Sequence, residues 1–219
     1  MSRLHRAMRE VLFALVVAAV TATLTLIVIS SAAALLFYVI IPIICILFLT
    51  ATRTRVNVDP VTAVTDLKRY WKVMAAFTLY NVVLVTAGVL IAGNPGREWS
   101  RISTGFIISN PIEELLYRAT LIPLFEMIGQ RLFDMTSTGR AIVSTSIAFS
   151  LGHVRNLLFA GSVLARGAAI VNMFSAFIIG LFLGIVYSRS RNLVSVTIFH
   201  WWFNLQNQII EYLAFLVIS

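Results

Sequence analysis

Long apolar runs separated by short charged segments set the pattern of this chain. No charged residue occurs between Val11 and Thr52. As one helix that run would be about 63 Å long at 1.5 Å per residue, about twice the hydrocarbon thickness of a bilayer. It is therefore read as two helices that turn near Ser30 and Ser31. Residues 52–72 follow, with Asp59-Pro60 as a helix-start signal and Asp66, Lys68, Arg69 and Lys72 beside Tyr70 and Trp71. That mixture predicts an amphipathic segment at the membrane interface. Hydropathy places further spans at 73–92, 104–125, 141–160, 168–187 and 193–218. The expected fold is all-α: a polytopic transmembrane helical bundle of about seven spans with an interfacial amphipathic segment. It forms one integral-membrane domain over 1–219, whose chemistry-bearing core covers 104–218.

Composition agrees with a membrane protein, at 59% hydrophobic residues and a mean hydropathy of +0.92. Arg3, Arg6 and Arg9 precede the first run, as in a secretory leader. The apolar stretch from Val11 to Ile29 is too long for one, however, and a second apolar run follows at once, so it reads as a retained span. Cys45 is the single cysteine, which removes intrachain disulfides and cysteine metal clusters. The net charge of +8 suggests nucleic acid until its distribution is considered. The basic residues sit in short loops, where they set orientation in a bilayer. With the N-terminus cytoplasmic, twelve of the 17 Lys and Arg residues fall on the cytoplasmic side. Arg97, Arg101, Arg155 and Arg166 fall on the other, and Arg118 is intramembrane. The expected location is a prokaryotic cytoplasmic membrane, with the lipid bilayer and no nucleic acid as partner. No internal repeat is visible, which counts against an inverted-repeat transporter.

The chemistry lies in ionisable groups within these apolar segments: Glu113, Glu114 and Arg118 in N-P-I-E-E-L-L-Y-R, His153 in F-S-L-G-H, and His200 with Asn204 in H-W-W-F-N. A charge at the bilayer centre costs about 2.5–3.5 kcal/mol on insertion scales, so such groups face the bundle interior and mark functional sites. Asn110-Pro111 reads as a cap and first turn, which predicts a broken span and places Glu113 and Glu114 at the positive end of a helix dipole. A simple proline kink explains the same residues. Glu114 and Arg118 are i and i+4 in the favourable order and should pair. Glu113 is turned about 100° from that face. A carboxylate in a low-dielectric cavity beside a second one is tuned toward neutrality, which suits a general base acting on water. The opposing reading joins both glutamates to Arg118 in a structural cluster.

A lone intramembrane histidine usually serves as an interhelical hydrogen-bonder, but two on separate spans with a Glu pair on a third suggest a hydrolytic centre. His153 would share or orient the water. His200 and Asn204, one turn apart, would present donors to an oxyanion. Asn207, Gln208 and Glu211 extend that face and read as interhelical hydrogen-bonders. Two histidines with a carboxylate are also a zinc set, although H-E-x-x-H is absent and Asn is a poor zinc ligand. No metal and no cofactor is required.

At these residues the chain resembles the CPBP family of intramembrane glutamic endopeptidases, which includes the type II CAAX prenyl endopeptidases and bacteriocin-processing proteins. The family pattern E-E-x-x-x-R, F-x-x-x-H and H-x-x-x-N appears as Glu113-Glu114 with Arg118, Phe149 with His153, and His200 with Asn204. The resemblance implies metal-independent cleavage of a membrane-anchored peptide or protein. It assigns Glu113 and His153 to the water, His200 and Asn204 to the oxyanion, and Glu114, Arg118 and Phe149 to support. The chain has Tyr117-Arg118-Ala119 where members often have F-R-G, which touches only details of the pocket. The alternatives are a non-catalytic scaffold or immunity factor of the same fold, a zinc metalloprotease, and a proton-coupled transporter.

Overall fold

The computed structural model describes residues 3–29, 36–92, 105–133 and 138–218. The turn expected at Ser30 and Ser31, and Arg97 and Arg101, lie outside these residues. The described chain is helical, with no strand. Its order is α1 (Arg3–Ile29), a π-helical stretch (Leu36–Ile40) entering α2 (Ile41–Thr52), α3 (Pro60–Ala92) and α4 (Phe106–Glu114). A second π stretch (Leu115–Leu121) follows, then α5 (Ile122–Phe133), α6 (Thr138–Leu151), α7 (Val154–Leu158), α8 (Val163–Ser190) and α9 (Leu193–Ile218). These gather into two compact units, 1–56 with 112–191 and 57–111 with 192–219.

Two described helices, Ala7–Thr25 and Arg166–Ser190, are long and apolar enough to cross a bilayer, and Leu36–Thr52 is a shorter apolar helix. Three of the other expected spans fall below that standard for visible reasons. Glu113, Glu114 and Arg118 interrupt one, a break at Gly152 shortens another, and polar residues from His200 to Gln208 dilute α9.

In the first unit, α6 and α8 form the closest helix pair. A Cβ on Gly184 would come within 2.7 Å of Ile142 Cγ2, and one on Gly180 within 3.1 Å of Ser146 Cβ. Two glycines four apart thus let the backbones approach, which in an apolar medium replaces hydrophobic drive with van der Waals contact. Ser150 Oγ donates to the Met173 carbonyl at 2.7 Å and ties the same pair. Phe13 of α1 packs edge-on against Phe125 and Phe133 of α5, with centroids 6.4 and 5.9 Å away. Ion pairs Arg140–Glu10 and Arg191–Glu126, both at 3.2 Å, join further elements of this unit.

In the second unit, α3 and α9 run side by side in the same direction. Successive contacts climb both helices together: Asp66 with Ser195, Tyr70 with Phe199, and Phe77 with Phe203. Asp59 starts α3 as its sequence predicts, since its carboxylate accepts the N–H groups of Val61 and Thr62 at 3.0 and 2.9 Å. Asn192 caps α9 through the Val194 N–H at 3.0 Å, and its Nδ2 donates to the Asp59 carbonyl at 2.6 Å. Both starts are therefore fastened together.

Three expectations change. The amphipathic segment and the span after it are one continuous helix, α3, because nothing after Pro60 breaks it. Within it Asp66 is buried rather than at the interface, donated to by Ser195 Oγ at 2.7 Å. The break foreseen before Pro111 is absent. α4 begins at Phe106 and carries Pro111 inside it, so Glu113 and Glu114 end the helix instead of opening it. Pro111 removes only the donor that would serve the carbonyl of residue 107, at the start of the helix, so the helix survives. The irregularity comes afterwards, as the π stretch over Tyr117 and Arg118. Both π stretches lie just before a proline, Pro42 and Pro123, whose missing N–H takes one α-type bond from the turn before it.

Candidate active site

The first unit holds Glu113, Glu114, Arg118, Phe149 and His153. Glu114 and Arg118 are fully buried, and their ion pair spans 3.3 Å from Nε to Oε2. The i, i+4 pairing foreseen from sequence is thus present. Arg118 Nη1 and Nη2 have no hydrogen-bond partner among the described residues. Their neighbours are rings: the guanidinium carbon lies 4.8 Å from the Phe149 centroid and 5.9 Å from that of Tyr117. Cation–π attraction is largest where water is excluded, which explains an aromatic at position 149.

Phe149 serves His153 as well. The two rings meet edge to face at 5.1 Å, and His153 Nδ1 lies 3.0 Å from the Phe149 carbonyl. That carbonyl only accepts, so Nδ1 carries a proton, and in the neutral form of the ring the lone pair lies on Nε2. F-x-x-x-H is therefore one device. A ring covers the guanidinium, and the carbonyl one turn before the histidine sets its tautomer.

His153 does not lie within one continuous helix, which the 141–160 reading had assumed. α6 ends at Leu151, and His153 sits at φ −90°, ψ 0° before the short α7. That sparsely populated conformation recurs at active sites. Gly152 lies at the break, and its lack of a side chain leaves room for Tyr117 Oη, which a Cβ there would approach within 2.8 Å. Tyr117 and Phe149 stack edge to face at 5.1 Å. Glu113 lies within electrostatic reach of Tyr117 and is half-buried, whereas its neighbour Glu114 is sealed.

The second unit holds His200 and Asn204, one turn apart on α9 as expected. His200 is buried and Asn204 half-buried. Asn204 Nδ2 donates to Asn110 Oδ1 at 2.9 Å, and Asn110 is fully buried. Sequence reasoning took Asn110 for a helix cap. The available signal was an amide side chain within an otherwise apolar stretch. The interhelical bonds expected of Asn207, Gln208 and Glu211 are not seen at Gln208 Oε1, which is buried without a partner among the described residues. The Glu211 side chain lies outside them.

Among the described residues no group of three or more His, Cys, Asp or Glu side chains forms a metal-binding cluster. No curated protein and no solved structure matches the chain. A family model does, over the stretch that contains all three motifs, and that family consists of membrane-embedded CAAX proteases. The chain, matched over residues 95–206, belongs to the type II CAAX prenyl endopeptidase Rce1-like family.

Proposed function

We propose that this protein is an intramembrane endopeptidase of the glutamic type, acting on a membrane-associated peptide or protein. One observation carries the reading beyond family membership. Of two adjacent glutamates, Glu114 is sealed against Arg118 while Glu113 stays half-exposed in the same unit as His153. Two carboxylates in such different settings suit a division between support and chemistry.

In this mechanism Glu113, aided by the Nε2 lone pair of His153, takes a proton from water as its oxygen adds to the scissile carbonyl carbon. The carbonyl π electrons become an oxyanion, which accepts hydrogen bonds from His200 and Asn204. Collapse restores the carbonyl and breaks the C–N bond, and the proton passes from the acid to the leaving amine. Glu114, Arg118 and Phe149 hold the frame. Hydropathy supports about seven spans, and the charge bias supports a cytoplasmic N-terminus. The substrate presents its scissile bond at the membrane through a lipid group, an apolar leader or a transmembrane tail.

The test is cleavage of a membrane-tethered peptide by purified wild type, Glu113→Ala and His153→Ala, each with and without a strong chelator. We expect both variants to lose activity and the chelator to leave the wild type unchanged. Full activity in both variants would remove the glutamic mechanism. Loss in chelator restored by zinc would replace it with a metalloprotease. A folded wild type that cleaves nothing would favour the scaffold.

A further inference from the structure

We infer that Asn110 is a positioning residue for Asn204, an inference that rests on the glutamic peptidase reading above. Asn110 is fully buried in α4, one turn before Glu113 in the same helix. Its Oδ1 accepts from Asn204 Nδ2 at 2.9 Å and lies 3.5 Å from Ser109 Oγ, while its Nδ2 has no hydrogen-bond partner among the described residues. A buried amide in an apolar segment is costly unless its hydrogen bonds repay it.

The geometry explains what this bond achieves. The final torsion of an asparagine is broad and nearly two-fold, so a half-buried amide such as that of Asn204 selects its facing atom through its partners. A flipped Asn204 would set two acceptor oxygens against each other unless Asn110 turned with it, and turning Asn110 would take its Oδ1 away from the Ser109 hydroxyl, 3.5 Å away. The NH2 side is therefore held toward Asn110. Of its two hydrogens one is engaged, and the other lies in a fixed direction in the same plane, ready for a developing oxyanion. Asn110 touches neither water nor substrate in this account. It spares Asn204 the ordering it would otherwise undergo in each transition state.

The test compares full-length wild type, Asn204→Ala, Asn110→Ala, Asn110→Asp, the Asn110→Ala/Asn204→Ala double variant and Glu113→Ala on a membrane-tethered peptide. Asn204→Ala should lower kcat about 10²-fold. Asn110→Ala should lower it roughly tenfold or more with KM little changed. The double variant should be no slower than Asn204→Ala, because Asn110 acts only through that amide. Asn110→Asp keeps an acceptor oxygen in place and should recover most of the rate. Wild-type kcat in folded Asn110→Ala, or losses that multiply in the double variant, overturns the inference. Should Asn110→Ala lose its thermal transition, Asn110→Asp decides: a rate near that of wild type supports positioning, and one as low as Asn204→Ala refutes it. If Glu113→Ala is inactive and Asn110→Ala is not impaired, this inference alone fails. If Glu113→Ala is fully active, the parent reading fails and takes this one with it.

Discussion

Each unit buries polar groups in apolar surroundings, but by different chemistry. The first buries full charges, Glu114 and Arg118, and surrounds the cation with Phe149 and Tyr117. The second, apart from Asp66 and His200, buries amides and hydroxyls, among them Asn110, Asn192, Ser195 and half-buried Asn204. Burying an ion costs several kcal/mol even after relaxation, so a charge pair survives only with close partners on every side. Neutral groups cost less each and can be spread along a helix pair. The first unit thus concentrates its buried charge in one frame beside His153. The second distributes its polar groups along α3 and α9, which fixes their mutual register.

If that contrast is right, removing one member of the charge pair should do the most damage. Glu114→Ala or Arg118→Ala leaves a buried charge without its counter-ion, with an expected loss of about 3–5 kcal/mol. Thermal unfolding in detergent measures it. A loss no greater than that of a surface variant would place the pair in contact with water. Next, Gly184→Val should separate α6 from α8, at about 1–3 kcal/mol from overpacking against Ile142. The conservative partner, Ile142→Ala in the Gly184→Val background, should recover part of that stability.

In the second unit the expected effects are smaller. Ser195→Ala takes a hydroxyl donor from buried Asp66, for a loss of about 1–3 kcal/mol. Asp66→Asn/Ser195→Ala should lose less than the sum of its single variants, read as a double-mutant cycle on thermal stability. The smallest effect sits at the start of α3. There the Thr62 hydroxyl, with the N–H groups of Thr62 and Val61, holds the Asp59 carboxyl below its ordinary 3.8. A depressed folded value means the cap contributes fully above the unfolded value and is lost as pH falls through the folded one. Asp59→Ala should therefore lower the midpoint only slightly at neutral pH, and its difference from wild type should vanish once the pH lies below the folded value. A difference that persists there would assign the effect to packing.

The sequence alone determined a good deal. The i, i+4 spacing of Glu114 and Arg118 and of His200 and Asn204 survives in the structure because helical geometry is local. The Asp59-Pro60 start is legible for the same reason, since caps act within one turn. What local rules could not settle depends on residues far apart in the chain. Asn110 looks like a cap because asparagine before proline usually is one, yet its amide is engaged by Asn204, 94 residues later. Asp66 looks like an interface charge until Ser195 covers it, 129 residues on. The space beside Gly152 is filled by the Tyr117 hydroxyl, which no reading of F-S-L-G-H in isolation includes. Hydrophobic period and spacing specify which face a residue occupies. Only tertiary packing decides which polar group waits on the other side, because a buried hydrogen bond is satisfied by proximity in space and not by distance along the chain.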